Sequence, residues 1–87
     1  MNYHIQFTPQ ALEDLSQLDN VVAKRIVDKI QWLAEHYDQI QSEMLTGTFA
    51  NFYKLRVGDW RILYTCDMAH CHITIHVIAH RSKVYKS

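Results

Sequence analysis

The side chains best suited to chemistry in this sequence are cationic, and they concentrate in its C-terminal part. Residues 53–87 hold six Lys or Arg against two Asp or Glu, whereas residues 1–52 hold three against seven. The net charge of zero therefore hides a division into an acidic and a basic part. A basic region with Tyr and Trp among its charges is typical of phosphate or nucleic-acid binding, although a solvated sheet face can have the same composition.

The segment from Tyr53 to Tyr64 predicts a β-hairpin that carries three of these cations. Gly58-Asp59 is its turn, because Gly at the first central position supplies the positive φ of a type II′ turn. This turn pairs Arg56 with Arg61, an arrangement that disfavours the sheet by roughly 0.2–1 kcal/mol. Such a pair of like charges indicates a place for an anion. We call the sheet face with Lys54, Arg56 and Arg61 the basic face.

A third strand follows the hairpin. If Asp67–His70 forms the loop, Cys66 pairs with Cys71, Trp60 with Val77 and Arg61 with His76. This register adds His76 to the basic face, and strict alternation adds His80. The same alternation turns Arg81 towards the core unless the strand ends or bulges near Ala79.

The remaining elements are predicted to support this sheet. Residues 2–7 alternate as a half-buried strand, and residues 9–18 follow as a short helix with Thr8 as N-cap. A second helix starts at Asp19-Asn20 and shows a helical apolar stripe: Val22, Ile26, Ile30, Leu33 and Tyr37. The two helices form a hairpin over the apolar sheet face, and residues 39–51 form a connecting loop.

Composition limits the alternatives. The 87 residues fit a single domain, 1–87, and no apolar run or signal peptide indicates a membrane or export, so we expect a cytoplasmic protein. Cys66, His70, Cys71 and His72 resemble zinc ligands, but they fall in one hairpin whose alternation points them to opposite faces. We therefore predict neither metal nor cofactor.

Three segments together carry a family resemblance. They are Leu45-x-Gly47, the hairpin from Tyr53 to Tyr64, and the C-terminal stretch from Val77 to Tyr85 that contains His-Arg-x-x-Val-Tyr. The chain resembles the RelE/ParE superfamily of bacterial toxins from type II toxin–antitoxin modules over nearly its whole length. This resemblance implies an α+β fold in the order β-α-α-β-β-β, with a small antiparallel sheet of about four strands and an N-terminal two-helix hairpin.

The resemblance also implies partners and two alternative activities. A cognate antitoxin protein would neutralise the toxin. RelE-like members cleave mRNA on the ribosome by attack of a 2′-hydroxyl on the adjacent phosphate, whereas ParE-like members poison DNA gyrase, and the fold cannot decide between them. We favour the ribonuclease, with a gyrase poison or a non-catalytic antitoxin-binding module as the alternative.

The expected site consists of five residues that match the RelE pattern and of basic residues near them. The matching residues are Lys54, Arg56, Arg61, Arg81 and Tyr85. The catalytic candidates are Lys54, Arg61, Arg81 and Tyr85. The RNA-binding candidates are Arg56, His76, His80 and Lys83. Two departures leave the general base open: Phe52 replaces a second lysine of some family ribonucleases, and the hairpin has no matching Glu. Tyr85 could alternatively pack its ring on the sheet.

Overall fold

The structure is a computed structural model that describes residues 2–39, 43–44 and 52–84. The helices are α1 (Pro9–Ser16), α2 (Asn20–His36) and α3 (Arg81–Val84). The strands are β1 (His4–Phe7), β2 (Glu43–Met44), β3 (Tyr53–Val57), β4 (Trp60–Asp67) and β5 (His72–His80). Most of the 39–51 loop, the Leu45-x-Gly47 motif and Tyr85 lie outside the described residues.

Both N-terminal helices begin at the caps that the sequence predicts. The Thr8 hydroxyl accepts a hydrogen bond from the Ala11 amide at 3.1 Å, and Pro9 occupies the first turn. The Asp19 carboxylate likewise accepts the Val22 amide at 2.9 Å at the start of α2. Each cap satisfies an amide that the helix itself leaves unpaired, which fixes where the helix starts.

The fold is α+β in the predicted order, which confirms the predicted fold class. The sheet has the order β1-β5-β4-β3-β2, that is, four longer strands and the two-residue β2. The expectation that every strand pair is antiparallel is wrong, because the sheet is mixed. β1 pairs with β5 in parallel, with Ile5 beside Ile73 and Phe7 beside Ile75. The connection from β1 to β5 passes through both helices and three strands, so the sequence near β1 contains no signal for this pairing.

The β3–β4 hairpin has the predicted register in full. Val57 pairs with Trp60, Arg56 with Arg61 and Tyr53 with Tyr64. Gly58 adopts φ +58°, as the first central residue of a type II′ turn requires, and Asp59 keeps a negative φ. The two-residue turn determines the register, so one local signal was sufficient to predict this half of the sheet.

The predicted β4–β5 register is wrong. Asp67 pairs with His72, Cys66 with Ile73 and Arg61 with Ala79, so His76 does not lie opposite Arg61. The four-residue loop lies one position further along the chain than predicted, at residues 68–71, and within it the Asp67 carboxylate accepts the His70 amide at 3.3 Å. Cys71 closes that turn with a left-handed φ of +55°.

A β-bulge in β5 changes the register again between Leu63 and Tyr64. Tyr64 pairs with Ile75 and Leu63 with Val77, which leaves His76 as the extra residue. The bulge reverses the alternation, so Ile75 and Ile78 are both buried under the helices while Val77, predicted to face the core, pairs with Leu63 on the other face.

The core lies between the helices and one face of the sheet. Ile26, Ile30 and Leu33 of α2 are buried as predicted, and so is Tyr37 in the 3₁₀ turn that follows, whereas Val22 is half-buried. They pack against Ile62 and Tyr64 of β4 and their neighbours. Within the described residues, none of the helices has the length and apolarity needed to cross a membrane. The sheet is thereby backed on one side by helices, and its basic face is the other side.

Candidate functional site

Arg61 is the only charged side chain among the described residues that is buried, with 8% of its surface exposed. Its Nη1 donates to the Gly58 carbonyl at 2.8 Å and to the Trp60 carbonyl at 2.9 Å. The type II′ turn therefore folds back on the guanidinium that follows it. These carbonyls compensate the like-charge repulsion from Arg56 that the sequence implied, and they hold Arg61 in one orientation.

Arg81 is held by the same turn. Its amide donates to the Asp59 carbonyl at 2.8 Å, and its Nε lies 3.7 Å from the Asp59 carboxylate. Because β5 ends at His80, Arg81 starts α3 instead of continuing the strand, which is the strand end that an Arg81 role required. Two arginines separated by 20 positions in the chain are thus attached to adjacent groups of one turn.

Lys54 and Arg56 extend the basic face away from this turn. Arg56 lies opposite Arg61 and is exposed, and Lys54 lies opposite Leu63 and is half-buried. On its other side Lys54 pairs through the backbone with Glu43 of β2. The basic face therefore carries an exposed, a half-buried and a buried cation in one small area of sheet.

The bulge presents His76 to the basic face from another direction. Its ring Nε2 lies 2.9 Å from the Thr65 hydroxyl, and its ring contacts that of Phe52 with centroids 4.9 Å apart. The Thr8 hydroxyl donates to its backbone carbonyl at 3.3 Å. These contacts hold both the backbone and the ring of His76 on the basic face. His76 lies near the Lys54–Leu63 pair and not next to Arg61, as the predicted register required.

Two predicted RNA-binding residues lie elsewhere. His80 pairs with Trp60, and the two rings meet edge to face at 5.5 Å on the helix side of the sheet. Lys83 joins them around an open cleft of about 520 Å³ between α1 and the end of β5. The expectation that His80 lies on the basic face is wrong because the bulge reversed the alternation before it. Tyr85 lies outside the described residues.

Sequence reasoning missed two residues at the turn. Asp59 was treated only as a turn former, although it contacts Arg81 through both its carbonyl and its carboxylate. Arg25 of α2 lines a cleft of about 310 Å³ with Gly58, Asp59 and Trp60. Asp59 could have been identified from its position beside a turn in a basic segment, whereas nothing in the sequence of α2 relates Arg25 to the hairpin.

The other end of the sheet, at the β4–β5 turn, contains several titratable side chains. The His70 ring donates to the Asp67 carboxylate at 2.8 Å, and this hydrogen bond lowers the pKa of Asp67. Burial raises the pKa of the Cys66 thiol. His4 and His72 lie side by side with ring centroids 5.4 Å apart. Among the residues that the structure describes, no three His, Cys, Asp or Glu side chains form a group suited to a metal ion.

Comparison with known proteins gives one family and several relatives. The model of the family described as ParE toxin of type II toxin–antitoxin system, parDE, matches residues 5–85. The curated Toxin RelE of Mycobacterium tuberculosis is 27% identical over 84 residues, which cover 97% of this chain and 87% of that protein.

Solved structures give the same picture of the fold. The toxin–antitoxin complex RelBE2 of Mycobacterium tuberculosis contains a chain with a TM-score of 0.83 and 25% identity, with 94% of each chain covered. The isolated RelE toxin of E. coli superposes with a TM-score of 0.74 at 22% identity, covering 95% of this chain and 90% of that one.

Proposed function

The chain belongs to the ParE family of toxins of type II toxin–antitoxin systems, and we propose that it is an mRNA endoribonuclease that inhibits translation at the ribosome. One observation carries the proposal: Arg61 and Arg81, both matching the RelE pattern, are attached to the same turn at the edge of the basic face. Cleavage of RNA by its own 2′-hydroxyl needs fixed positive charge where the phosphorane forms, and two oriented guanidinium groups provide it.

Arg61 and Arg81 differ in solvent exposure, and we assign them different roles on this basis. Arg81 is exposed and can contact a phosphate directly, as can Arg56 across the hairpin. Arg61 is buried and bonded to the turn, so its role is to supply a positive charge that does not reorganise during the reaction. We therefore assign phosphate contact to Arg81 and Arg56, and electrostatic stabilisation to Arg61.

Proton transfer is assigned to Lys54 and His76. Lys54 shares the basic face with Arg56 and Arg61, and His76 lies in the bulge near the Lys54–Leu63 pair. An amine and an imidazole are suited to removing the 2′-hydroxyl proton and protonating the 5′-oxygen. Tyr85 would stack on a splayed base, the common way in which proteins hold single-stranded RNA. The nucleophile belongs to the RNA, so the protein has to supply only proton transfer and positive charge, and we propose that it does so without metal or cofactor.

The partners follow from the family. A cognate antitoxin would bind and neutralise the chain, since related structures are of RelE-type toxins in complex with RelB. Its substrate would be mRNA on the ribosome, which places its action in the cytoplasm. His80 and Lys83 line the cleft on the helix side, so in this proposal they contact RNA, if at all, outside the reacting phosphate.

The test is to induce the protein without antitoxin and map mRNA ends by primer extension. We expect growth arrest and translation-dependent cuts within codons. Arg81→Ala should abolish the cuts, whereas Lys24→Ala, which removes the same charge from the exposed face of α2, should leave them unchanged. Purified protein should then cleave mRNA in programmed ribosomes.

The family name itself supports a second candidate, because the matching model is that of ParE toxins. A gyrase poison would arrest growth with intact transcripts and with accumulated double-strand DNA breaks. That outcome would refute the ribonuclease, and insensitivity of the arrest to Arg81→Ala would further separate the two activities.

A further inference from the structure

We propose that the Asp59 carboxylate is a positioning residue that orients the Arg81 guanidinium on the basic side of the turn. This inference rests on the proposed function for its catalytic consequence. Asp59 matches no part of the catalytic set expected from the resemblance, and its role comes only from its contacts.

The contacts are of two kinds. The Asp59 carbonyl accepts the Arg81 amide at 2.8 Å, which fixes the backbone where α3 begins. The Asp59 carboxylate oxygen lies 3.7 Å from Arg81 Nε, which constrains the side chain. A substitution at position 59 removes only the second contact, because the carbonyl belongs to the backbone. The side-chain contribution can therefore be measured without loss of the link between turn and helix.

The position of the carboxylate distinguishes it from an ordinary surface ion pair. Both partners are mostly exposed, at 61% for Arg81 and 69% for Asp59, so the pair adds little to stability. The pair nevertheless joins Arg81 to the same three-residue segment whose Gly58 and Trp60 carbonyls hold Arg61. Its effect is to restrict a long, exposed side chain to the neighbourhood of a buried one, which lowers the entropy lost when the transition state forms.

The carboxylate should also oppose the substrate. A negative charge beside Arg81 weakens its attraction for an incoming phosphate while keeping it oriented. Removal of that charge is therefore expected to act in opposite directions on binding and on rate. A merely structural residue would not separate the two quantities in this way.

The experiment compares full-length wild type with Asp59→Asn on mRNA in programmed ribosomes under single-turnover conditions. We expect the maximal cleavage rate to fall by about 10–10²-fold, since a misplaced catalytic group costs rate on this scale. The half-saturating concentration should stay unchanged or fall. Asp67→Asn is the matched control, because it removes an equal charge from the other end of β4, where Asp67 pairs with His70.

Two further measurements make the proposal decisive. In long incubations of purified protein with programmed ribosomes, Asp59→Asn should not lower further the residual cleavage rate of Arg81→Ala, since the two groups act as a unit. In ¹⁵N NMR, the Arg81 Nε–H vector should be ordered in wild type and in Asp67→Asn, and mobile in Asp59→Asn.

The outcomes separate this inference from the proposed function. A rate for Asp59→Asn within twofold of wild type, or an equal slowing with and without Arg81, would overturn the positioning role. If wild type cleaves no RNA, the ribonuclease proposal fails, and the NMR comparison still decides whether Asp59 orients Arg81. An Arg81 vector equally mobile in wild type and Asp59→Asn would overturn the inference whatever the activity.

Discussion

The turn between β3 and β4 and the turn between β4 and β5 both contain a residue with positive φ, but the residue types differ. Each turn places one residue in the left-handed region, Gly58 at φ +58° and Cys71 at φ +55°. Glycine adopts this conformation without steric cost, whereas a cysteine does not. The turn at Gly58-Asp59 is short and anchors two arginines, while the turn at residues 68–71 is longer and is held by the Asp67 side chain.

The chemistry around the turns differs in the same sense. At the first turn the cations are guanidinium groups, which stay charged at every physiological pH. At the second turn the groups are imidazoles, thiols and a carboxylate, whose charges change with pH. The proposed ribonuclease would need charge of fixed sign beside the phosphorane, which favours the first turn as its site.

Among the variants that test this comparison, Arg61→Ala should have the largest effect on stability. We expect a loss of about 1.5–3 kcal/mol in the free energy of unfolding, because the substitution removes a buried charged group that donates to two backbone carbonyls. This reverses the sign that the like-charge pairing with Arg56 alone would give. Urea unfolding with unchanged slope measures it.

Arg56→Ala is the matched control, since Arg56 lies opposite on the same face and is exposed. Its unfolding free energy should change by about 0.5 kcal/mol or less. Equal stabilities for the two variants would contradict the structural role of Arg61. Cleavage must be compared at equal folded concentration, where Arg61→Lys should lose about 10²–10³-fold in rate.

The next test is Gly58→Ala, which should cost about 1–2 kcal/mol of stability. The nearest atom to a Cβ at this position is Arg25 Nη2 at 3.7 Å, an ordinary contact, so the cost arises from the backbone alone. Thermal unfolding measures it, and a variant as stable as wild type would show that the turn can change its type without loss.

A smaller effect of opposite sign is expected at the second turn. Cys71→Gly relieves the left-handed strain and loses the packing of a half-buried thiol, so we expect a net gain of about 0.5 kcal/mol. The same unfolding assay applies. A loss of stability would mean that the thiol contributes more through its packing than the strained backbone costs.

The smallest effect is a decline of stability at alkaline pH. Burial raises the pKa of both the Cys66 thiol and the Tyr3 hydroxyl, and the Asp38 carboxylate raises that of Tyr3 further. For a raised pKa the neutral form is favoured by folding, so the contribution is complete below the unfolded-state value and is lost as pH rises through the folded-state value. Cys66→Ala should make the unfolding free energy less dependent on pH between about 8 and 10. An unchanged dependence would exclude the thiol as its source.

Much of the fold follows from local signals in the sequence. The helix starts at Thr8 and Asp19, the α2 stripe and the first hairpin each depend on residues close together in the chain, and all are confirmed. The second hairpin was predicted wrongly because its turn depends on the Asp67 side chain and on a cysteine in a glycine conformation. Neither feature has a composition signal.

The site shows the same limit. The basic face was predictable as soon as the turn was identified, since period-two alternation places Lys54, Arg56 and Arg61 together. The bulge at His76 was not predictable, because the hydrogen bond from the Thr8 hydroxyl to the His76 carbonyl joins residues distant in sequence. The inserted residue moved His80 to the helix side, and the shifted loop moved His76 along β4, away from Arg61 and next to Thr65. The roles of all these residues remain predictions.

The parallel pairing of β1 with β5 has a consequence for how this chain is made. His4–Phe7 are synthesised well before residues 72–75, which are their strand neighbour among the described residues. The amide of Tyr3 bonds to Ala34 and that of Thr8 to Ile75, so the first strand is anchored by segments synthesised much later. Contacts of such long sequence separation form late in folding. The β1 edge of the sheet therefore cannot form until residues 72–75 have been synthesised.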